Sequence, residues 1–468
     1  AVLHTINIRL SADQILYTMN HADDKLVLVN SEFVPLYNSI ASQLTTVEKT
    51  LLLTDAEDKT ADLPGLVGEY ETLLAAASNS YAFADFDENS VATTFYTTGT
   101  TGNPKGVYFT HRQLVLHTLA AAATVGSLDS IRLMGTDDVY MPITPMFHVH
   151  AWGLPYVATM LGVKQVYPGR YDPELLVDLW KREKVTFSHC VPTILQMILN
   201  AKGAAGVDFG GWKLIIGGSA LNRSLYEASK ARGIQLTAAY GMSETCPLIS
   251  CAHINEELLA GSEDERTTYR IKAGVPVPMV ETAIMTADGR FLPHDGEAQG
   301  ELVLRAPWLT QGYFREPQKG EELWEHGWLH TGDVATLDGM GFIDIRDRIK
   351  DVIKTGGEWI SSLELEDLIS RHPAVREVAV VGIADPQWGE RPFALLVLRD
   401  SAELDARGLK EHLKPFVEQG HINKWAIPTQ IALVTDIPKT SVGKLDKKRI
   451  RLDIAQWQAA GSTFLSTL

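Results

Sequence analysis

Little in this chain points to a membrane, a nucleic acid or a disulfide framework. Only three cysteines occur in 468 residues, Cys190, Cys246 and Cys251. They are too few and too scattered for a disulfide scaffold or a zinc pattern, and read as buried free thiols in a reducing, cytoplasmic setting. Positive charge is in deficit. The 42 Lys and Arg against 58 Asp and Glu leave a net charge of −16, which argues against nucleic acid or an anionic membrane as the main partner. No uncharged apolar run reaches the ~18 residues that a transmembrane helix needs. The most apolar stretch, Ala151 to Val163, is short and interrupted by Gly and Pro. The G-x-x-x-x-G-K-[ST] loop of P-loop NTPases is also absent, and neither an initiator Met nor a signal peptide opens the chain at Ala1.

What is present is a globular composition, 45% hydrophobic and 21% charged, in a chain long enough for two or three domains. Its densest feature is TTFYTTGTTGNPKG, from Thr93 to Gly106. Its last ten residues carry four hydroxyls (Thr97, Thr98, Thr100, Thr101), three glycines (Gly99, Gly102, Gly106) and Lys105. Glycines let a backbone turn sharply and approach a ligand, and exposed N–H groups with hydroxyls and an ammonium make an anion-binding concavity. The segment reads as a phosphate cradle.

Along the chain, helical and strand periods alternate. Ile15, Met19 and His21 precede DDKLVLVN, and VYMPITP, PELLVDLWKREKV, VTFSHCV, PTILQMILNA, KLIIGGSA and LYEASKARGI continue the pattern. Strands interleaved with helices of this length predict parallel α/β layers. From about Ala273 the pattern changes to short strands with Asp-Gly turns, a β-rich subdomain over about 273–348. Past Arg348 a smaller α+β unit is expected, with a capping box at Ser361 and Glu364, paired strands in EVAVVGIADP and RPFALLVLR, and a helix in LKEHLKPFVEQ.

The cradle resembles the signature of the adenylate-forming superfamily of acyl-CoA synthetases, luciferases and peptide-synthetase adenylation domains. Three further segments match in the same order: AAYGMSETCPL near 240, GWLHTGDVATLDGMGFIDIRDRIKDVIKTGGEWIS from 327 to 361, and PKTSVGKLDKKR from 438 to 449. The chain is identified as a member of that superfamily over nearly its whole length. The resemblance implies a large multi-layer α/β domain, residues 1–348, and a small mobile α+β lid, residues 349–468, with a hinge near Lys350. It also implies that an N-terminal portion precedes Ala1.

Site residues follow from the matched motifs. Thr97, Thr98, Gly99, Thr100, Thr101, Gly102 and Lys105 clamp the ATP phosphates. Tyr240 offers a flat face to adenine, or is an ordinary core aromatic. Gly241 and Met242 accompany it, and Ser243 stands where relatives usually carry Thr. Glu244, with Thr98, is placed to hold Mg²⁺, which takes oxygen ligands and substrate phosphates; a plain surface carboxylate is the alternative. Gly217 to Ala220, including Gly218 and Ser219, follow a strand and either line the nucleotide or form a simple turn. Asp333 is an acceptor for both ribose hydroxyls, and Arg348 reaches ribose or α-phosphate, unless the two are only a structural salt bridge. Ile345, Lys354 and Trp359 complete the nucleotide's surroundings.

Catalysis falls to Lys444, which steadies charge during in-line attack, with His148 and Thr98 beside it. Gly356 and Gly357 give the CoA pantetheine arm room to pass. The basic residues around Lys444 attract CoA phosphates or simply form a solvated face. Trp152 and Gly153, with Ala158 and Gly162, shape an apolar acyl tunnel or merely pack helices. Phe147-His148-Val149 supplies no carboxylate for a substrate ammonium, so α-amino acids are disfavoured.

The function so implied is a Mg²⁺- and ATP-dependent acid–CoA ligase, most similar to bacterial medium- and long-chain fatty-acyl-CoA synthetases. A short acid such as an alkylthio-propionate is an alternative substrate. Transfer to a carrier protein, a luciferase-type oxidation and a decayed regulatory site are the rival functions. Chain length and oligomeric state stay open, a homodimer among the options.

Overall fold

A computed structural model describes residues 1–97, 103–127, 132–169, 171–356, 358–441, 443–459 and 465–467. Its largest sheet has seven strands in the order Val275–Pro276, Leu248–Cys251, Gln235–Gly241, Lys213–Ile216, Phe187–Cys190, Val139–Pro142 and Lys164–Gln165. The strands from Gln235–Gly241 to Lys164–Gln165 run parallel, and the first two antiparallel. A parallel sheet buries both faces, and the strand Lys213–Ile216 does so residue by residue. Leu214 and Ile216 pack with Leu176, Leu195 and Leu225 of three helices, while Ile215 turns to the opposite cluster with Trp152 and Val157.

Local signals explain the helices. Pro173–Glu183 begins where the Asp172 side chain accepts from the backbone N–H groups of Glu174 and Leu175, with Pro173 at the first turn, and ends at left-handed Lys184. Two smaller sheets extend this part of the molecule. One joins Leu3–His4, Val91–Thr97 and Lys105–Thr110; the other is a parallel sheet of Leu26–Asn30, Lys49–Leu53 and Leu66–Glu69. The expected β-rich region is an antiparallel sheet built from Glu281–Met285, Gly300–Arg305, Trp324–Glu325, Trp328–Leu337 and Ile343–Arg348.

A second, smaller core follows. Val375–Asp385 and Gly389–Leu398 pair antiparallel. Their alternating side chains face helices Ser362–Ser370 and Ala406–Glu418 on one side and helix Lys447–Ala459 on the other. The Ser361 side of the expected capping box is formed, its hydroxyl oxygen accepting from the Glu364 N–H at 3.0 Å. Among the described residues no helix is long and apolar enough to cross a membrane.

One local expectation changes. The apolar stretch containing Trp152 contains no right-handed turn at its start: Val149, His150, Ala151 and Trp152 all have positive φ between 50 and 61°. Left-handed backbone costs L-residues about 1–2 kcal/mol each, so surrounding packing must hold it. All four side chains are buried. The right-handed helix begins only at Leu154.

Candidate active site

A cavity of about 1170 Å³ opens between the carboxyl ends of the large sheet's strands and the smaller domain. Ligand sites in open α/β sheets sit at such strand ends, where strand direction or order changes. Here the direction reverses between Gln235–Gly241 and Leu248–Cys251. Gly241 lies at that reversal, where a Cβ would stand 1.9 Å from the Pro247 carbonyl oxygen. Only glycine permits so close a backbone approach.

Most of the residues expected at the site line this one cavity. From the large sheet's loops come Gly218, Ser219 and Ala220, then Tyr240 through Glu244, with Thr97 from the neighbouring sheet. His148 comes from just before the left-handed turn and Trp152 from its end, and Asp333, Ile345 and Arg348 from the β-rich sheet. Lys350 and Lys444 close it from the other side. Thr98, Gly99, Thr100, Thr101, Gly102 and Gly357 lie outside the described residues.

Strand register explains one pair. Asp333 and Arg348 are directly opposed across antiparallel strands, which brings Arg348 Nε to 3.5 Å from Asp333 Oδ1. The Tyr240 hydroxyl donates to the other oxygen, Oδ2, at 2.5 Å. Asp333 is 6% exposed; burial pushes its carboxyl up, while Arg348 and the Tyr240 hydrogen bond oppose that rise. A carboxylate has about four acceptor positions, so these two contacts orient Asp333 and leave capacity for further hydroxyl donors.

A second cluster joins Glu244, Tyr313 and Lys105. Glu244 is buried, and the Tyr313 hydroxyl donates to its Oε1 at 2.7 Å. The Lys105 ammonium lies 4.4 Å from the centre of the Tyr313 ring. Tyr313 was absent from the sequence reading; its only signal is a tyrosine after Gly312, unremarkable without its distant partners. Its phenol is pushed up by burial and by the Glu244 carboxylate, so it stays a donor.

Lys444 enters from the smaller domain. A Cβ on Gly218, whose φ is +80°, would lie 3.1 Å from Lys444 Cε. Burial, then the nearby Arg348, push the ammonium down to about 8, with Asp333 and Glu244 opposing. His148 is pushed down to about 3 by burial, Lys444 and His189, so its imidazole is neutral. Trp152 packs its ring within 3.4 Å of the Cβ position of Gly217, and both line the cavity together with His148.

Several expected residues stand elsewhere. Gly153 faces His117, whose ring a Cβ would meet at 3.0 Å, and His117 Nε2 in turn accepts from the Leu248 N–H at 3.1 Å. The glycine therefore allows core packing, and it is not among the residues lining the cavity. Ala158 is fully buried in the core and Gly162 caps the helix Leu154–Leu161. Lys354 and Trp359 lie on the smaller domain's hairpin, exposed, with the ammonium 5.9 Å from the Trp359 ring centre. Neither lines the cavity. Gly356 on that hairpin packs against Trp388, 3.2 Å from its Cβ position.

Sequence comparison accounts for this constellation. The model of the AMP-binding enzymes matches residues 1–314, and that of the AMP-binding enzyme C-terminal domain matches 364–444. The chain belongs to the AMP-binding enzymes. Within them it falls in the acid–CoA ligase family. A long-chain-fatty-acid–CoA ligase of Thermus thermophilus is 39% identical over 96% of this chain and 80% of its own length. A 3-methylmercaptopropionyl-CoA ligase of Ruegeria lacuscaerulensis is 38% identical, covering 96% of this chain and 82% of the relative. The fold of this AMP-binding enzyme matches the crystal structure of the anthranilate CoA ligase AuaEII in complex with anthranoyl-AMP. The TM-score is 0.82 at 22% identity, covering 98% of this chain and 84% of that one.

Proposed function

We propose that the enzyme joins a medium- or long-chain fatty acid to CoA in two steps, using ATP. The acid's carboxylate attacks the α-phosphate, pyrophosphate leaves, and the acyl-AMP anhydride is then attacked by the CoA thiol. Adenylation converts a poor leaving group into a good one, so two easier steps replace one difficult one. The observation that carries this reading is the meeting of Lys444, Asp333 and Glu244 around one cavity; both carboxylates act on the Lys444 ammonium.

In this reading Tyr240 holds adenine and Asp333 accepts from the ribose hydroxyls. Arg348 and Lys444 bring positive charge to the α-phosphate and the incoming carboxylate, where charge develops during attack. Neutral His148 borders the reacting carboxylate. Lys105 takes the outer phosphates. Glu244 fits a magnesium ion: it is buried, its Oε1 is oriented by Tyr313, and its remaining lone pairs suit a hard cation that prefers oxygen. The metal's contribution when bound is to neutralise triphosphate charge.

The division proposed is 1–348 and 349–468, with Lys350 as hinge. Lys444 faces the cavity while Gly356 is turned toward Trp388, which supports an adenylating arrangement here and a rotated one for thiol attack. Three buried free cysteines suit a reducing cytoplasm.

A short thioether acid is the second reading. The bulky Trp152 ring lines the cavity together with His148, and one relative is named for 3-methylmercaptopropionate. A series of acids from acetate to palmitate, scored by CoA-dependent AMP formation, separates the two. Each CH₂ buried contributes up to ~0.8 kcal/mol, about fourfold in kcat/KM, so efficiency climbs along the series until the pocket ends. A decline beyond three or four carbons overturns the fatty-acid assignment and leaves the ligase.

A further inference from the structure

Lys444 follows a tight turn whose docking site lies far away in the chain. Lys439 and Leu445 form the bridge that closes the turn. The Thr440 N–H donates to the Lys444 carbonyl at 2.7 Å, and the Gly443 N–H to the Thr440 carbonyl at 2.9 Å. This geometry fixes the turn internally but says nothing of where it sits.

Three side chains of the large domain grip it from outside. Arg9 Nη1 donates to the Ser441 carbonyl at 2.6 Å, and Asn7 Nδ2 to the Ser441 hydroxyl at 3.2 Å. Thr193, on the helix Pro192–Leu199, donates its hydroxyl to the Gly443 carbonyl at 2.7 Å. The grip is prearranged. Asn7 Oδ1 accepts the Arg9 N–H at 3.0 Å, which turns the amide NH₂ toward Ser441. The Arg9 guanidinium is flanked by the rings of Phe147 at 5.9 Å and Tyr171 at 5.2 Å, so its fork is held by cation–π contact. Gly443, with φ of +83°, sits so close that a Cβ would be 3.3 Å from the Thr193 hydroxyl.

We propose that Arg9, Asn7 and Thr193 are positioning residues for adenylation alone: they form the receptor that seats the Lys444 turn over the α-phosphate. Two of the three bonds are to backbone carbonyls, so they read the shape of the turn and hold its lysine in place. They exist only while Lys444 faces the cavity. The inference rests on the two-step reading, since any rotation of the smaller domain for thiol attack must break all three. Loss of the receptor therefore slows the first half-reaction and leaves the second free.

The test uses the full chain with octanoate. ATP–pyrophosphate exchange reads adenylation, and supplied octanoyl adenylate with CoA reads thioester formation. A hydrogen bond from a charged donor is worth more than a neutral one, so Arg9→Ala is expected to lower exchange by ten- to a hundredfold and Thr193→Val by about fivefold. Thioester formation from octanoyl adenylate stays within about twofold of wild type in both. Thr193→Ser, which keeps the hydroxyl, restores exchange. Equal loss in both half-reactions, or unchanged exchange in both variants, overturns the receptor. Wild type separates the two ideas: if it forms no acyl-CoA from any acyl adenylate supplied with CoA, the ligase reading fails, whatever the variants do.

Discussion

Replacing Tyr240 with phenylalanine removes one oxygen and keeps the ring. That oxygen donates to Asp333 Oδ2 at 2.5 Å, and the carboxylate it serves is 6% exposed. A hydrogen bond to a charged group contributes about 1.5–3 kcal/mol. At ~2 kcal/mol the loss corresponds to roughly 30-fold in kcat/KM for ATP, if Asp333 is the ribose acceptor that this bond orients. ATP–pyrophosphate exchange measured across pH gives a second, signed readout. Burial already raises the Asp333 carboxyl, and the Tyr240 hydroxyl is one of the contacts holding it down. Without the hydroxyl it rises further, so the acidic limb of the exchange profile moves to higher pH. Stability follows the same sign. A carboxyl raised by folding gives its full stability below its unfolded pKa and loses it as pH climbs through the folded one. The Tyr240→Phe deficit in thermal midpoint is therefore widest near neutrality and narrows on acidification. An exchange rate within threefold of wild type, with a deficit that ignores pH, would falsify this view of Asp333.

Lys444→Ala is expected to lower exchange by ~100-fold or more while supplied acyl adenylate still becomes thioester, because in the proposed reading only the first step needs that ammonium; equal losses refute the division of labour. With Lys444 pushed down to about 8, wild-type exchange falls as pH rises through that value while the thioester step does not, unless the ammonium is not the working form. Gly356→Trp adds bulk on the hairpin beside Trp388; thioester formation is lost and exchange persists, whereas parallel loss would mark Gly356 as a folding position. Gly218→Ala meets both a positive φ and Lys444 Cε, so urea titration is expected to show a loss of about 1–2 kcal/mol and exchange to fall more than thioester formation; an exchange rate equal to wild type contradicts the close approach.

What could be read from the sequence was whatever short-range pattern encodes. The strand Lys213–Ile216 announces itself by an apolar run ended by glycines, and helix Pro173–Glu183 by its Asp cap and stripe. The motif residues Tyr240, Asp333, Arg348 and Lys444 could be named because each stands in a local string, and the register opposing Asp333 to Arg348 follows once the two strands pair. Composition misled where it mimics another state. Val149 to Trp152 are as apolar as a buried helix, yet their backbone is left-handed, because tertiary packing outweighs local preference there. Gly153 suggested open space for a ligand, but its missing side chain makes room for His117. Tyr313 and the receptor for the lysine turn were beyond any window. Asn7 and Ser441 are 434 positions apart, and no periodicity links residues that meet only after both domains have folded. The groups proposed for catalysis are thus written as local motifs, while the contacts proposed to seat Lys444 are written in the docking of one domain on the other. That is why a motif can point to the chemistry of this enzyme without revealing which half-reaction the proposed lid would be set to perform.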